Sequence, residues 1–575
     1  MQQALDHMDR PSLPSQDKPF EKTDEHHFPR FREQPMNRSA PRRLWFLWHS
    51  WLALPIWVFL LFVCVTGTIA TIDKEILWLI DPAVRADHEN GTVRKPLNAV
   101  AEDIHRQLPN AAIAGIAFGE PYMALKVSLY TPDGADTTAW VNPYSGIIQR
   151  ISHGINFSDF VVSLHGWLLM PWTKGTPIGW YAVTLLGVPL LGSAITGMVI
   201  FKRFWRTYIT WPKLRFRQGA RLFWGDLHRL AGAWSLWFII IIAVTGLWFL
   251  VRGVMYDLHV PVGMEAPDIP RREVPSRKAG EPLPEIDIDG ALAAVRTARP
   301  ETRPLAVILP EHARGTISVY SRSAFPLLAE EAWVHPYSGD VLMVRDWRNA
   351  RTSEVISTLN ASLHFGNFAG LPVKLVWTFF GALLSTLVAT GTVIGARRAA
   401  KASREILATA SPLAGGPRRA RFRWRFYLGG LVLILPLMSF PRYFTEVSAP
   451  PLGAHILPGR EVGPFRVTLA EVIPGAPRLS EQGGLLKDYA LHIENGYPDR
   501  IRLAYLRRGK PPHERNLGEI LEGNPYRLHG KVRFPPTLKS SDSLWLTIEE
   551  WDGTLHQTSW PLAEVMQGVT FGGES

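Results

Sequence analysis

What most constrains this chain is a repeat. Residues 44–203 and 223–398 carry the same landmarks in the same order. His49 precedes Thr66-Gly67 by 17 residues, and His228 precedes Thr245-Gly246 by 17. Each copy then reaches a polar segment, Trp140-Val141-Asn142-Pro143-Tyr144-Ser145-Gly146 in the first and Trp333-Val334-His335-Pro336-Tyr337-Ser338-Gly339 in the second. A Ser-Leu-His step follows (Ser163 to His165, Ser362 to His364), then a hydrophobic run ending in Thr-Gly (Thr196-Gly197, Thr390-Gly391). A repeat of this length defines the architectural unit and is read before any single motif. It also singles out four of the 18 histidines.

The hydrophobic runs decide the solvent. Crossing a hydrocarbon core of about 30 Å takes roughly 20 apolar residues, and the sequence predicts such spans at 45–72, 178–201, 228–251 and 372–396. A shorter run at 424–441 predicts a fifth, with Arg425 and Arg442 able to snorkel at its ends. Lysine and arginine crowd the tail 1–43 and the links 204–222 and 399–423, which places these on the cytoplasmic side. The intervening modules and the tail 442–575 then lie outside. Charge beside spans is an orientation signal, so the net charge of +11 argues for a lipid bilayer as partner and against nucleic acid. Residues 1–43 read as a disordered tail, lacking the apolar core of a signal peptide. Cys64 is the only cysteine, which excludes intramolecular disulfides, iron–sulfur clusters and CxxC zinc sites.

The expected fold class is an α-helical integral membrane protein of duplicated two-helix units, each with an extracytoplasmic α+β module, plus a fifth helix and a C-terminal β-sandwich-like domain. In the first module a helix over 96–108 precedes strands at 112–118, 123–131 and 137–142. In the second, a helix near 288–298 precedes strands near 304–309, 315–321 and 330–335. Each sheet is expected to be covered by one helix, and Gly146 and Gly339 to occupy a turn after the last strand. Past residue 442, alternating stretches such as 465–469, 489–493 and 544–548 predict strands of a separate β-rich domain.

On this topology His49 and His228 fall near the cytoplasmic ends of their spans, His165 and His364 at the outer face on short interfacial helices. Histidine is the commonest axial ligand for a haem clamped between helices. Read along one helix, the 17-residue offset from His49 to Thr66 is about 25 Å, enough to place two pairs in opposite leaflets. The residues alone leave interfacial anchoring and proton relay open beside haem ligation; zinc or copper would need further ligands that do not converge in sequence. No G-x-G-x-x-G follows a strand and no Walker sequence occurs, so nicotinamide and flavin are disfavoured.

These motifs, in this order and duplicated, resemble the PepSY-associated transmembrane family, also described as iron-regulated membrane proteins, which includes ferric-siderophore reductases. The resemblance rests on His49 with Val65-Thr66-Gly67, Trp140 to Gly146, Leu164-His165 with Thr196-Gly197, and their second-half counterparts His228 with Val244-Thr245-Gly246, Trp333 to Gly339 and Leu363-His364 with Thr390-Gly391. It implies periplasmic PepSY-like modules, a bacterial inner-membrane location and, in reductase members, b-type haems on membrane histidines. Mapped here, His49 and His228 would be axial ligands of an inner haem iron, His165 and His364 of an outer one. Electrons would pass from a membrane quinol or cytoplasmic donor to a ferric-siderophore or another periplasmic acceptor. Two other function classes stand beside this one: a non-enzymatic binding or regulatory membrane protein, and a metal-related permease.

Overall fold

The computed structural model describes residues 40–87, 92–172, 175–201, 214–260, 265–278, 281–409, 430–443, 451–480, 484–494, 498–539, 541–569 and 571. The tail expected to be disordered falls outside the described residues up to position 39, as do most of both basic links (202–213 and 410–429).

Among the described residues, three helices are long and apolar enough to cross a bilayer: Ile178–Ile200, Leu236–Asp257 and Gly370–Gly395. The first expected span is broken. Helix α1 (Ala40–Ala53) and helix α2 (Trp57–Thr71) meet at a 66° bend, where Pro55 lacks the N–H that would continue the ladder. The expected span 228–251 is also divided. His228 sits on α8 (Ala220–Trp234), and the apolar helix α9 (Leu236–Asp257) begins after a break at Ser235. The 25 Å offset along a single helix therefore does not hold in either half. Between them come α3 (Asp73–Ile80), α4 (Leu97–Gln107), α5 (Phe157–Trp167), α6 (Ile178–Leu185) and α7 (Gly187–Ile200). Helices α6 and α7 form one span with a break at Leu186, where Pro189 offers no donor to the Leu185 carbonyl. Of the expected fifth span the described part is a ten-residue apolar helix, Gly430–Ser439, too short to cross alone.

The two α+β modules are one body. Each contributes a helix (α4; α10, Ile288–Ala298) and four strands rather than the three expected. The strands β1 (Ala112–Ala117), β2 (Leu125–Tyr130), β3 (Thr137–Val141) and β4 (Ile148–His153), then β5 (Arg303–Ile308), β6 (Ile317–Arg322), β7 (Ala329–Val334) and β8 (Val341–Arg345), join in a single antiparallel sheet. Its order is β4-β3-β2-β1-β5-β6-β7-β8, and β1 pairs with β5 in the register Gly115↔Ile308, Ile116↔Val307 and Ala117↔Ala306. Pairing first strand to first strand removes two exposed edges. It also places α4 and α10 side by side over one core that includes Val100, Ile104, Val127, Leu292, Val295 and Val319. Their N-termini cap each other. The Asp289 carboxylate accepts from the Leu97 and Asn98 amides at 3.0 and 2.9 Å, and Asn98 Oδ1 accepts from the Ile288 amide at 2.9 Å. Orphan helix donors are thus satisfied across the pseudo-symmetric join.

The Trp-Val-x-Pro-Tyr-Ser-Gly segments are turn devices. Gly146 and Gly339 both have φ of 76°, a left-handed conformation that glycine takes without Cβ strain. The turn joins the third strand to the fourth and does not follow the last. In the first copy Asn142 Oδ1 accepts from the Tyr144 and Ser145 amides at 2.9 and 3.2 Å. In the second, His335 Nδ1 does the same for Tyr337 and Ser338 at 3.2 and 3.1 Å. His335 is therefore committed to its turn.

Two further helices, α11 (Thr352–Phe365) and α12 (Gly370–Thr409), complete the membrane part. The C-terminal domain is a β-sandwich. A seven-stranded sheet containing Phe465–Glu471, Leu485–Glu494 and Arg527–Phe534 faces a four-stranded sheet containing Ile501–Arg508, Ser543–Glu550 and Leu555–Pro561. The sandwich is docked on the modules. Buried Glu549 accepts from Arg502 at 3.0 Å and pairs with Arg271 at 2.9 Å, beside an apolar cluster of Ile269, Val274, Ala313, Leu503, Tyr505 and Leu517. Tyr526 reaches the Asn110 carbonyl at 2.8 Å.

Removing the Glu549 carboxylate leaves Arg502 buried without its counter-charge. Glu549→Ala is expected to cost about 3–5 kcal/mol, read as a lower unfolding midpoint of the detergent-solubilised protein. In the first module, the hydrogen bond from Lys95 holds the Asp103 carboxyl below its usual range, with help from Arg106. A depressed folded-state pKa stabilises above the unfolded value of about 3.9, and that contribution is lost as pH falls through the folded value. Asp103→Asn should therefore lower the unfolding midpoint at neutral pH, and the difference from wild type should vanish at strongly acid pH.

Candidate functional site

The four repeat-selected histidines meet as two pairs. His49 on α1 and His228 on α8 have ring centres 6.4 Å apart, with planes at 75°. His165 on α5 and His364 on α11 stand 6.3 Å apart, with planes at 35°. Each pair takes one ring from each half of the sequence.

Every ring is held by the threonine of a Thr-Gly step. His49 Nδ1 lies 2.9 Å from Thr196 Oγ1, His165 Nδ1 3.3 Å from Thr66, His228 Nδ1 3.1 Å from Thr390 and His364 Nδ1 2.8 Å from Thr245. The threonine hydroxyl protons are already used. They go to the carbonyls of Phe62, Gly192, Ile241 and Thr386, four residues back, at 3.0, 2.7, 2.7 and 2.8 Å. Each hydroxyl oxygen is therefore the acceptor and each imidazole donates Nδ1–H, which leaves Nε2 as the nitrogen with a lone pair. A hydrogen bond at one ring nitrogen is how proteins orient a histidine for coordination through the other.

The glycines next to these threonines make room. A Cβ at Gly67 would come within 2.6 Å of His165 Cε1, and one at Gly391 within 2.9 Å of His228 Cε1. At Gly197 the nearest atom, His49 Cε1, would be 3.6 Å away, and Gly246 has nothing within 4 Å. Thr66 and Thr245 are inside α2 and α9, so the His165 and His364 rings pack against those helices within their apolar length. Their helices pack along α2 and α9, and Asn360 on α11 donates to the Thr245 carbonyl at 3.2 Å. Among the described residues no group of three or more histidines, cysteines and carboxylates converges.

Around the second pair lies a group of aromatic side chains. Phe249 stands 5.2 Å from the His364 ring and Trp180 stands 5.8 Å from Phe249. At the corresponding edge of the other half, Lys374 on α12 pairs with Glu75 on α3 at 2.6 Å, and both are largely buried.

A family model described as the PepSY-associated TM region matches residues 46–398, more than half of the chain. The chain belongs to the PepSY-associated transmembrane family. It is a membrane protein of the iron-regulated membrane protein type. The stretch matched to the PepSY-associated family contains all four histidines, their four threonines and the whole eight-stranded sheet. A second model, described as an uncharacterised conserved protein, matches residues 420–563, which takes in the C-terminal sandwich. No curated protein matches the chain.

Sequence reasoning used the Thr-Gly steps as landmarks of the repeat and missed the hydroxyls as histidine acceptors. The signal was present: four threonines recur at matched positions, and serine or alanine would have met a packing need as well. The aromatic series and the Glu75–Lys374 pair left no such trace, because they lie outside the repeated motifs.

Packing at the glycines gives a graded expectation. Gly67→Ala and Gly391→Ala should each destabilise the detergent-solubilised protein by about 1–3 kcal/mol, whereas Gly246→Ala should leave its unfolding midpoint unchanged. Thermal unfolding of the three variants side by side measures this.

Proposed function

We propose that this protein carries electrons across the bacterial inner membrane through two b-type haems, with His49 and His228 as axial ligands of the inner iron and His165 and His364 of the outer. The supporting observation is the spacing and tautomer of the two pairs. Two imidazoles each bonded to one iron at about 2.0 Å stand with ring centres roughly 6 Å apart. The observed separations are 6.4 and 6.3 Å, and the threonine hydrogen bonds leave Nε2 as the coordinating atom in every ring. A haem bound in this way supplies reversible one-electron chemistry.

The chain's own residues do the rest. The threonines fix each ring and strengthen it as a ligand through the Nδ1–H bond. The glycines admit the rings between helices. Between the membrane helices Phe238, Ile239, Leu384 and Trp377 belong to a buried apolar cluster that excludes water. The donor in this reading is a membrane quinol or a cytoplasmic reductant, with the N-terminus cytoplasmic and the sandwich periplasmic. The acceptor is a periplasmic ferric chelate, most simply a ferric-siderophore, whose reduction releases iron as the weakly held ferrous ion. The activity is that of a ferric-chelate reductase. Support for iron as the substrate comes from the family, and support for electron transfer comes from the paired rings.

Purified in mild detergent, the protein should show a b-type spectrum on dithionite reduction and about two haems per chain by pyridine haemochrome. His228→Ala and His165→Ala should each remove one haem, and the double variant both. Thr245→Val and Thr390→Val should retain the fold but weaken haem retention about 10–100-fold. A colourless protein after expression with ample haem overturns the proposal.

A further inference from the structure

Aromatic rings run without interruption from the outer histidine pair to the protein surface. Centre to centre, Phe249 lies 5.2 Å from His364, Trp180 lies 5.8 Å from Phe249, and Trp172 lies 5.5 Å from Trp180. Trp172 then meets Tyr256 at 6.3 Å. The last two rings are half exposed, at 47% and 51%.

Polar contacts hold the series in place. Trp180 Nε1 donates to the Phe249 carbonyl at 3.0 Å. At the end of α9, Asp257 accepts from the Thr176 amide at 2.8 Å and from the Tyr181 hydroxyl at 2.5 Å. That tether ties the start of α6, just after Trp172, to the helix that carries Phe249 and Tyr256. Gly253 gives the Trp180 indole its seat, since a Cβ there would stand 2.9 Å from Nε1.

Tryptophan and tyrosine gather at membrane interfaces as anchors, but an anchor has no need to connect with a buried histidine or to occur on one side only. The repeat provides the comparison. Counting from the matched threonines, the position of Phe249 is Ala70 in the first half, and the position of Trp180 is Lys374 in the second. Lys374 is closed off by Glu75. Among the described residues, the positions matched to Phe249 and Trp180 therefore carry rings on one side of the pseudo-twofold, and on the other an alanine and an ion-paired lysine.

We propose that Phe249, Trp180 and Trp172 are the electron exit, leading from the outer histidine pair to a ferric chelate docked on Trp172 and Tyr256. This inference rests on the haem reading above. One electron leaves the reduced haem iron, Fe(II) to Fe(III), and one reaches the chelated iron, Fe(III) to Fe(II). No bond forms, no proton moves, and the rings act as a tunnelling medium without changing oxidation state. A quinol supplies the electron upstream; dithionite replaces it in the test.

Two measurements on the full-length protein decide the matter. In the first, dithionite-reduced protein is mixed rapidly with a ferric trihydroxamate and haem reoxidation is followed by absorbance. Trp172→Leu and Trp180→Leu should slow reoxidation about tenfold with haem content and spectrum unchanged. Trp180→Phe should restore most of the rate, and Trp78→Leu, on α3 against Tyr122 and outside this series, should leave it at the wild-type value. Wild-type rates in Trp172→Leu and Trp180→Leu overturn the route while leaving haem binding intact. In the second, hydroxyl-radical labelling of the haem-free protein is read by mass spectrometry with and without redox-inert gallium(III) trihydroxamate. Protection of Trp172 and Tyr256 is expected, and unchanged labelling of both overturns the docking site. Absence of haem from the purified protein removes the function proposed above and this exit with it, a failure distinguishable from wild-type kinetics in haem-loaded variants.

Discussion

In the membrane-spanning part, the arrangement depends on a hydrogen bond made four times, from a histidine Nδ1–H to a threonine hydroxyl on a neighbouring helix. Inside a bilayer an unsatisfied imidazole or hydroxyl is costly, because no water replaces the lost partner. Each threonine meets half of that demand within its own helix by donating to the carbonyl four residues back. Its remaining lone pair then selects one tautomer of the incoming histidine. Helix register, ring orientation and available nitrogen are thereby set together. Gly67 and Gly391 matter for the same reason, since a ring drawn toward the hydroxyl needs space beside it.

A second constraint lies outside the membrane. The two α+β modules share one sheet and one core, and their helices cap each other through Asp289 and Asn98. Neither module keeps its first strand as a free edge. Because the last strand of each module leads within a few residues into the helix that carries His165 or His364, a fixed pair of modules also limits how far the two halves of the membrane part can separate. The histidine pairs each take one ring from each half, so the join between modules supports the geometry within the membrane. The C-terminal sandwich adds to this rigidity through Glu549, which gathers Arg271 from the second module's linker and Arg502 from its own sheet.

Symmetry in the architecture does not extend to the chemistry around it. Asn142 and His335 perform one turn function with different side chains. Phe249 and Trp180 flank the His165–His364 pair on one side, while the positions equivalent by sequence count carry Ala70 and Lys374. A duplicated scaffold keeps what both halves need in order to fold, and its two sides are free to differ in what faces that pair.

Much of this was legible in the sequence because it repeats. Spacing singled out the four histidines, the apolar runs located three spans, and alternation located the strands of the sandwich. Periodicity could not show that the first span bends at Pro55 or that His228 sits on a helix of its own, since an apolar run reads alike whether straight or broken. The fourth strand of the first module was missed because residues such as Arg150 and His153 are exposed and break the apolar pattern. The chain's own order of residues determined its membrane character, its two-fold plan and the identity of the candidate ligands. Only the tertiary structure decided which histidine faces which, which ring nitrogen each presents and where aromatic rings lead outward, because those depend on contacts between residues that the sequence separates by as many as 199 positions, His165 from His364.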